Sequence, residues 1–352
     1  MTVHLAREFG FCYGVDRAVD YAYQTRERFP DRRVYLTGEI IHNPHVNDKI
    51  RALGIGFLTD AGMSVDGLGP DDVIILPAFG VTVAMLRQLE QRGCTLVDTT
   101  CGSVLNVWKN VRRYCEGDFT SIIHGKVRHE ETQATASQAV EYGGRYLVLL
   151  DRRETELVCD YIRHGGDRAA FLAHFGAVAS PGFDPDRDLH RVGLANQTTM
   201  LMSESLEIGD LIKEAMSARY GGESLADHFQ AFDTICSATQ DRQDAVVRLI
   251  TKTPIDLMMV IGGYNSSNTC NLARICAEVR PTFHIADPDC LLSADQIRHR
   301  PAGTGGQEVT TAGWLPQAGR VAVGLTSGAS TPDNLVGAAV LRLAEFTGEP
   351  QA

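Results

Sequence analysis

Seven short apolar runs punctuate the sequence: VYLT, VIILPA, TLVDT, TSIIHG, YLVLL, IDLMMVIGG and RVAVGLTS. Each has strand length, and amphipathic stretches lie between them. From Val104 to Tyr114, apolar Val104, Trp108 and Val111 recur at the spacing of one helix face. Such alternation dictates an α/β fold with largely parallel sheets, because a crossover helix is what returns the chain to start a parallel neighbour. At 352 residues and 44% apolar composition the chain buries a sizeable core and divides into two or three domains. Residues 163–190 and 299–319 are rich in Gly, Pro and Asp and read as inserted loops.

Three segments share a plan of extended run, polar turn, cysteine and amphipathic helix. They are HLAREFGFC-YGVDRAVDYAY around Cys12, TLVDTTC-GSVLNVWKNVRRY around Cys101 and QAFDTIC-SATQDRQDAVVRLI around Cys236. The last two repeat Asp-Thr-x-Cys, as Asp98-Thr99-Thr100-Cys101 and Asp233-Thr234-Ile235-Cys236; the first lacks it. A helix N-terminus favours a thiolate, the form that binds metals. The wide separation of the three does not match the paired cysteines of a zinc ribbon. Three converging thiolates suit a cuboidal iron–sulfur cluster with one open iron; spacing alone leaves three buried thiols as the alternative. The remaining cysteines, Cys94, Cys115, Cys159, Cys270, Cys276 and Cys290, read as packing groups.

Polar clusters follow the strand-like runs: Gly38 to Pro44, His124 to Thr132, Ala195 to Thr199, Gly262 to Thr269 and Gly324 to Pro332. Open α/β sheets bind ligands beyond the carboxyl ends of their strands, and Ser/Asn/Thr/Gly loops at helix N-termini suit phosphate oxygens. None has the form GxxxxGK[ST], so a nucleoside triphosphate is not indicated, and no flavin or nicotinamide fingerprint is present. Taken singly, each cluster is equally a helix cap or a turn.

Net charge is −11, which argues against nonspecific binding to nucleic acid or an anionic membrane. The start, MTVHLAREFGFCYGV, has neither a signal-peptide core nor transit-peptide character, and no apolar run approaches a bilayer span. The expectation is a cytoplasmic protein with reduced cysteines.

Nine stretches in order resemble the 4-hydroxy-3-methylbut-2-enyl diphosphate reductase (IspH/LytB) family. They are GFCYGVDRAV, GEIIHNPHV, LPAFGV, VDTTCGSV, IIHGKVRHEETQATAS, NQTT, DTICSATQDRQ, VIGGYNSSNT and TSGASTPD, from residue 9 to residue 333. The resemblance implies three small α/β domains in a trefoil around a central cluster, spanning residues 14–101, 102–235, and 236–352 with 1–13. It also implies one 4Fe–4S cluster per chain on Cys12, Cys101 and Cys236, with diphosphate contacts from His42, His129, Ser266, Ser267, Asn268 and Ser330. Thr198 matches a threonine near the substrate hydroxyl, and Glu131 the acid that supplies protons. The implied reaction removes the hydroxyl of an allylic diphosphate reductively, the last step of the methylerythritol phosphate pathway, with an external electron donor of ferredoxin or flavodoxin type.

Two positions depart from the common family pattern. Phe79 stands where histidine is usual, so one diphosphate contact is missing or replaced, and Gly102 stands where proline is usual. PAFG together with HGKxxHEETxATAS resembles the subgroup of plants and cyanobacteria. Lys109, Arg112 and Arg113 on the helix after Cys101 form a basic stretch that steers an acidic donor or is simply a solvated face. Three rivals remain from sequence: a hydro-lyase that uses the cluster without electrons, a cluster-bearing sensor, and a zinc-bound structural protein.

Overall fold

The computed structural model describes residues 1–232, 234–303, 306–316 and 320–347. The chain opens with strand β1 (Thr2–Leu5) and helix α1 (Tyr13–Arg28). A first sheet follows, from β2 (Arg33–Leu36), β3 (Gly56–Phe57), β4 (Asp72–Leu76) and β5 (Thr95–Asp98), with α2 (Pro44–Ala52) and α3 (Val83–Gln91) in the connections. After α4 (Gly102–Glu116), a second sheet takes β6 (Thr120–His124), β7 (Tyr146–Leu149), β8 (Val192–Asn196) and β9 (Phe229–Ala231). Its helices are α5 (Glu130–Glu141), α6 (Arg152–His164), α7 (Arg168–Phe175), α8 (Pro185–Asp188), α9 (Met202–Tyr220) and α10 (Leu225–His228). Last come α11 (Ser237–Lys252), β10 (Leu257–Ile261), α12 (Ser267–Ala277), β11 (Thr282–Ile285), the hairpin β12 (Gln296–His299) and β13 (Val309–Ala312), β14 (Ala322–Ser327) and α13 (Asp333–Thr347).

Two compact units result. One comprises residues 1–20, 39–53 and 237–352; the other comprises 21–38 and 54–236. The second unit holds two sheets, ordered β3-β2-β4-β5 and β7-β6-β8-β9, and the first unit holds β11-β10-β14-β1. Every pairing in these three sheets is parallel. Taken in order of use, each sheet runs second, first, third, fourth, provided that β1 counts as the fourth strand of the last sheet. The partial repeat seen around the cysteines is therefore a complete topological one.

Burial follows this plan. The first and third strands of each sheet sit centrally, and β4, β6, β8 and β10 are buried at every position, as strands covered on both faces must be. Ile122, Leu147, Leu149 and Leu194 of the second sheet pack with Val158, Ile162, Ile208 and Ile212 of α6 and α9. In the last sheet, Met258 and Val260 meet Val246 and Ile250 of α11 and Leu272 and Ala273 of α12. Full burial of each large aliphatic side chain contributes roughly 1.5–3 kcal/mol. Asp151 starts α6 by accepting the Glu154 amide at 3.0 Å, and α2 starts from Asn43 followed by Pro44.

Two expectations need correction. Residues 163–190 are no open loop: they carry α7 and α8, and Phe171, Phe175, Phe183 and Leu189 join the core of the second sheet. The Gly and Asp residues there act as helix ends, with Asp167 and Asp184 as N-caps. Residues 299–319 include the antiparallel strand β13 and buried Trp314 and Leu315; 304–305 and 317–319 lie outside the described residues. Among the described residues no helix is long and apolar enough to cross a membrane.

Candidate active site

Each fourth strand leads into one of the three singled-out cysteines, and each cysteine directly precedes or caps a helix. Cys12 precedes α1, Cys101 is the N-cap of α4, and Cys236 precedes α11. Their backbone amides are held in one repeated way. Cys12 donates to the Ala329 carbonyl at 3.2 Å, Cys101 to that of Ala78 at 3.0 Å, and Cys236 to that of Thr198 at 3.2 Å. Each acceptor stands two residues beyond the third strand of its sheet. A second tie runs from two residues before each cysteine to the last residue of the same strand. Thr99 Oγ1 donates to the Leu76 carbonyl at 2.6 Å, Thr234 Oγ1 accepts from the Asn196 amide at 2.7 Å, and the Gly10 amide donates to Ser327 Oγ at 2.8 Å. This explains the repeated threonine of Asp-Thr-x-Cys. Asp98 caps the turn by accepting the Thr100 amide at 2.9 Å; Asp233 lies outside the described residues.

All nine cysteines are thiols, and Cys12, Cys101 and Cys236 are each half-buried. The Cys101 side chain makes no capping hydrogen bond to its helix. The other thiols behave as packing groups where their surroundings show it. Burial pushes Cys159 and Cys276 up to about 12, and raises Cys94 and Cys115 as well. Three half-buried thiols in equivalent positions at helix starts form a donor set that fits thiolate ligation of a cluster.

The smaller unit gathers one polar network. His42 is buried, and its Nδ1 lies 3.0 Å from Glu39 Oε2, which also accepts from Asn265 Nδ2 at 2.8 Å. Ser330 Oγ lies 3.1 Å from Ser266 Oγ and 3.3 Å from the His42 carbonyl oxygen, while Asn43 Nδ2 donates to the Ser330 carbonyl at 2.9 Å. Ser266 caps α12, Ser267 and Asn268 are its first two residues, and all three are buried. Asn268 Oδ1 accepts from the Ala329 amide at 3.0 Å, and its Nδ2 donates to Thr239 Oγ1 at 3.3 Å. The loop before α12 comes this close because Gly262 adopts φ +142°; a Cβ there would lie 2.3 Å from Thr331 Oγ1. The structure thus joins His42, Ser266, Ser267, Asn268 and Ser330 in one polar, hydroxyl-rich cradle at a helix N-terminus, the chemistry that phosphate oxygens need.

The larger unit gathers the acid. Glu131 lies in the first turn of α5 and is 2% exposed. Thr198 donates its amide to Glu131 Oε1 at 2.6 Å and its hydroxyl to Oε2 at 3.0 Å. His129 caps the same helix, its Nδ1 accepting from the Glu131 amide at 3.2 Å. An accepting Nδ1 leaves the neutral ring's proton on Nε2, a donor suited to an oxyanion. Phe79 stands edge-on to His129 with ring centroids 5.6 Å apart. The residue that departs from the family pattern therefore packs against a candidate diphosphate contact. Gln197 Oε1 accepts from the Lys126 amide at 3.0 Å and lies 3.3 Å from Thr132 Oγ1, tying the two loops of this sheet together.

Glu39, Asn43, Asn265, Gln197 and Thr239 were not singled out from sequence, although all stand inside or beside the quoted motifs. Asn before Pro44 was a readable N-cap signal. Each of the other four also bonds a residue far along the chain, Glu39 to Asn265, Gln197 to Lys126 and Thr239 to Asn268, and no local pattern announces those ties.

The fold and these sites define an α/β enzyme scaffold of three like sheets whose chemistry lies at the strand carboxyl ends. The chain belongs to the LytB protein family, whose model matches residues 3–344. The 4-hydroxy-3-methylbut-2-enyl diphosphate reductase of Gloeobacter violaceus is 53% identical over 355 residues, covering 99% of this chain and 84% of its own length. The enzyme of that name from Thermosynechococcus vestitus is 51% identical over 340 residues, covering 96% and 82%. A solved structure of (E)-4-hydroxy-3-methyl-but-2-enyl diphosphate reductase, the terminal enzyme of the non-mevalonate pathway, matches 98% of this chain and 100% of its own, with TM-score 0.59 and 25% identity. The corresponding Plasmodium falciparum reductase shares the fold at TM-score 0.70 and 20% identity, over 97% and 88% of the two chains.

Proposed function

We propose that this chain reduces (E)-4-hydroxy-3-methylbut-2-enyl diphosphate to isopentenyl and dimethylallyl diphosphate, the closing step of isoprenoid precursor synthesis by the methylerythritol phosphate route. The observation that carries the reading is the buried Glu131 held through both oxygens by Thr198, in a chain half identical to enzymes of that name. The reaction breaks one carbon–oxygen bond. Oxygen leaves as water with one added proton, and the allyl frame takes two electrons and a second proton.

Three thiolates, Cys12, Cys101 and Cys236, hold one 4Fe–4S cluster in this reading, which supplies electrons and a Lewis-acidic open iron when bound. Glu131 supplies the proton that turns a poor leaving group into water, and Thr198 Oγ1 passes it on or fixes the substrate hydroxyl. His129 donates from Nε2 to the diphosphate. His42, Ser266, Ser267, Asn268 and Ser330 bind its remaining oxygens. Anchoring the remote diphosphate fixes the reacting carbon, which converts binding energy into orientation.

The division into residues 14–101, 102–235, and 236–352 with 1–13 belongs to the same proposal, supported by one like sheet in each. Electrons come from an external carrier of ferredoxin or flavodoxin type. The α4 face is its docking candidate: Lys109, Arg112 and Arg113 are exposed, and no acid precedes Glu116 on that helix. The equivalent helices α1 and α11 carry Asp16 and Asp20, and Asp241 and Asp244, in their first halves. Arg112 pairs with Glu116 at 2.8 Å, and the Arg113 guanidinium lies over the Phe232 ring.

Anaerobic purification followed by iron and acid-labile sulfide analysis, Mössbauer spectroscopy with and without the allylic diphosphate, and turnover with a reduced viologen tests the reading. Four irons and four sulfides per chain, a substrate-sensitive iron and viologen-dependent product are expected. Zinc without sulfide, or turnover without any reductant, overturns it.

A further inference from the structure

Arg242, in the second turn of α11, is 4% exposed. Its Nη1 donates to the Ala238 carbonyl at 2.8 Å and its Nη2 to the Gly10 carbonyl at 2.8 Å. Its Nε is buried and has no hydrogen-bond partner. Among the described residues no carboxylate comes within 4.0 Å of this guanidinium. Asp333 packs so closely on Gly10 that a Cβ there would lie 1.6 Å from its Oδ1, yet it makes no ion pair with Arg242. An arginine this deeply buried is a liability without a counter-charge, because an ion removed from water and left unpaired is strongly destabilising. Two backbone carbonyls relieve hydrogen bonding but not charge.

The two carbonyls that hold Arg242 belong to segments that carry candidate ligands. Gly10 stands two residues before Cys12, and Ala238 two residues after Cys236. Both candidate ligand segments thus deliver a carbonyl to one buried cation. We infer that Arg242 is the built-in counter-charge of the thiolate-ligated cluster, and that it raises the cluster's reduction potential by stabilising the extra negative charge of the reduced form. The inference rests on the proposed cluster reading. It concerns a one-electron transfer in which no bond forms or breaks, with a dithionite-reduced mediator as the electron source.

A purely structural arginine, pinning the Gly10 loop, makes different predictions, and three measurements separate the two. The first is the midpoint potential of the reconstituted cluster in wild type, Arg242→Lys and Arg242→Gln, followed by spectroelectrochemical titration. Arg242→Gln is expected to disfavour reduction about tenfold, a shift of about 59 mV to more negative potential for one electron, while Arg242→Lys stays close to wild type. The second is the urea midpoint of the cluster-free proteins. Without its anion the guanidinium stabilises nothing by charge, so Arg242→Gln is expected to match or exceed wild type. The third is iron and sulfide content after reconstitution, which remains readable even if a variant loads poorly: Lys should load better than Gln. An unchanged potential in a fully loaded Arg242→Gln protein overturns the inference. So does equal loss of cluster in both variants, or a cluster-free Gln variant less stable than wild type. If wild type itself binds no iron and sulfide, the cluster reading fails first, and the iron analysis of wild type reports that separately.

Discussion

Thr198 grips Glu131 twice, with its amide on one carboxylate oxygen and its hydroxyl on the other. The clamp fixes the carboxylate's plane and the chain just beyond β8 together, and the same Thr198 carbonyl receives the Cys236 amide. Acid, hydroxyl and cysteine are therefore set by a single residue, through its amide, its side chain and its carbonyl. Glu131→Gln keeps the shape and removes the proton. Turnover should fall on the order of 10²–10⁴-fold while substrate still binds, judged by single-turnover kinetics and calorimetric titration. Thr198→Val should cost activity and roughly 1–3 kcal/mol of stability by leaving a buried carboxylate oxygen without its partner. Thr198→Ser should recover most of both.

Phe79 bears on substrate binding through His129. The edge-on ring contact restrains an imidazole that the proposed function assigns to the diphosphate. Phe79→Ala should raise KM several-fold, in line with about 0.5–1.5 kcal/mol for an aromatic pair, and leave kcat nearly unchanged. Equal falls in kcat and kcat/KM would instead place Phe79 on the transition state.

His284 makes stability pH-dependent. Burial lowers its pKa to about 4 from 6.5, its Nε2 donates to the Gly262 carbonyl at 2.9 Å, and Arg300 and His299 further disfavour its charge. The unfolded chain takes up this proton near pH 6.5 and the folded one only near pH 4. The folded state thus binds fewer protons in that window, and stability falls as pH drops through it. Between pH 7 and pH 5 the loss from this group should be on the order of 2 kcal/mol, read from urea midpoints. His284→Asn should flatten that slope even though its stability at pH 7 is lower.

Gly193 on β8 is a packing glycine. A Cβ there would lie 2.4 Å from Tyr114 Cδ1, and Tyr114 is fully buried with its hydroxyl donating to the Leu194 carbonyl at 2.7 Å. Gly193→Ala should destabilise by roughly 1–3 kcal/mol through overpacking, whereas Tyr114→Phe should cost about 0.5–1.5 kcal/mol by removing one buried hydrogen bond. Thermal melts of the two variants should rank in that order.

Charge reversal at Lys109 and Arg113 should raise the KM for an acidic protein donor and flatten its dependence on salt, since steering by exposed charge is screened. Viologen-driven turnover should not change. Identical donor kinetics at low and high ionic strength in wild type would remove α4 as the docking face.

What could be read from the sequence follows burial. Strands β4, β6 and β10 are covered on both faces and appear as unbroken apolar runs, so their positions were legible. Of the outer strands, β5 and β7 were legible as TLVDT and YLVLL, whereas β1, β3, β9 and β11 were not among the runs. β1 has exposed ends, β3 has two residues and β9 three, and each gains its strand character from pairing rather than from its own side chains. The same limit applies to the site. Cys12, Cys101 and Cys236 stood out because a cysteine at a helix start announces its chemistry, whereas Glu131 was reached only through the resemblance of its motif to the reductase family. Arg242 and Glu39 did not stand out, since a charged residue inside a helix or turn reads as solvated until its burial or its distant partner is known. The 163–190 segment misled for a related reason: its Gly and Asp residues end short helices rather than line a loop.

The β1–β14 pairing sets Thr2 opposite Ala322, and the Cys12 amide waits for the Ala329 carbonyl. On a ribosome β1 must therefore stay unmatched until Ala322, 320 residues later, has emerged, a closure between very distant points that is slow to form. A substitution that weakens β1 should accordingly disturb β14, which lies 320 residues further along the chain.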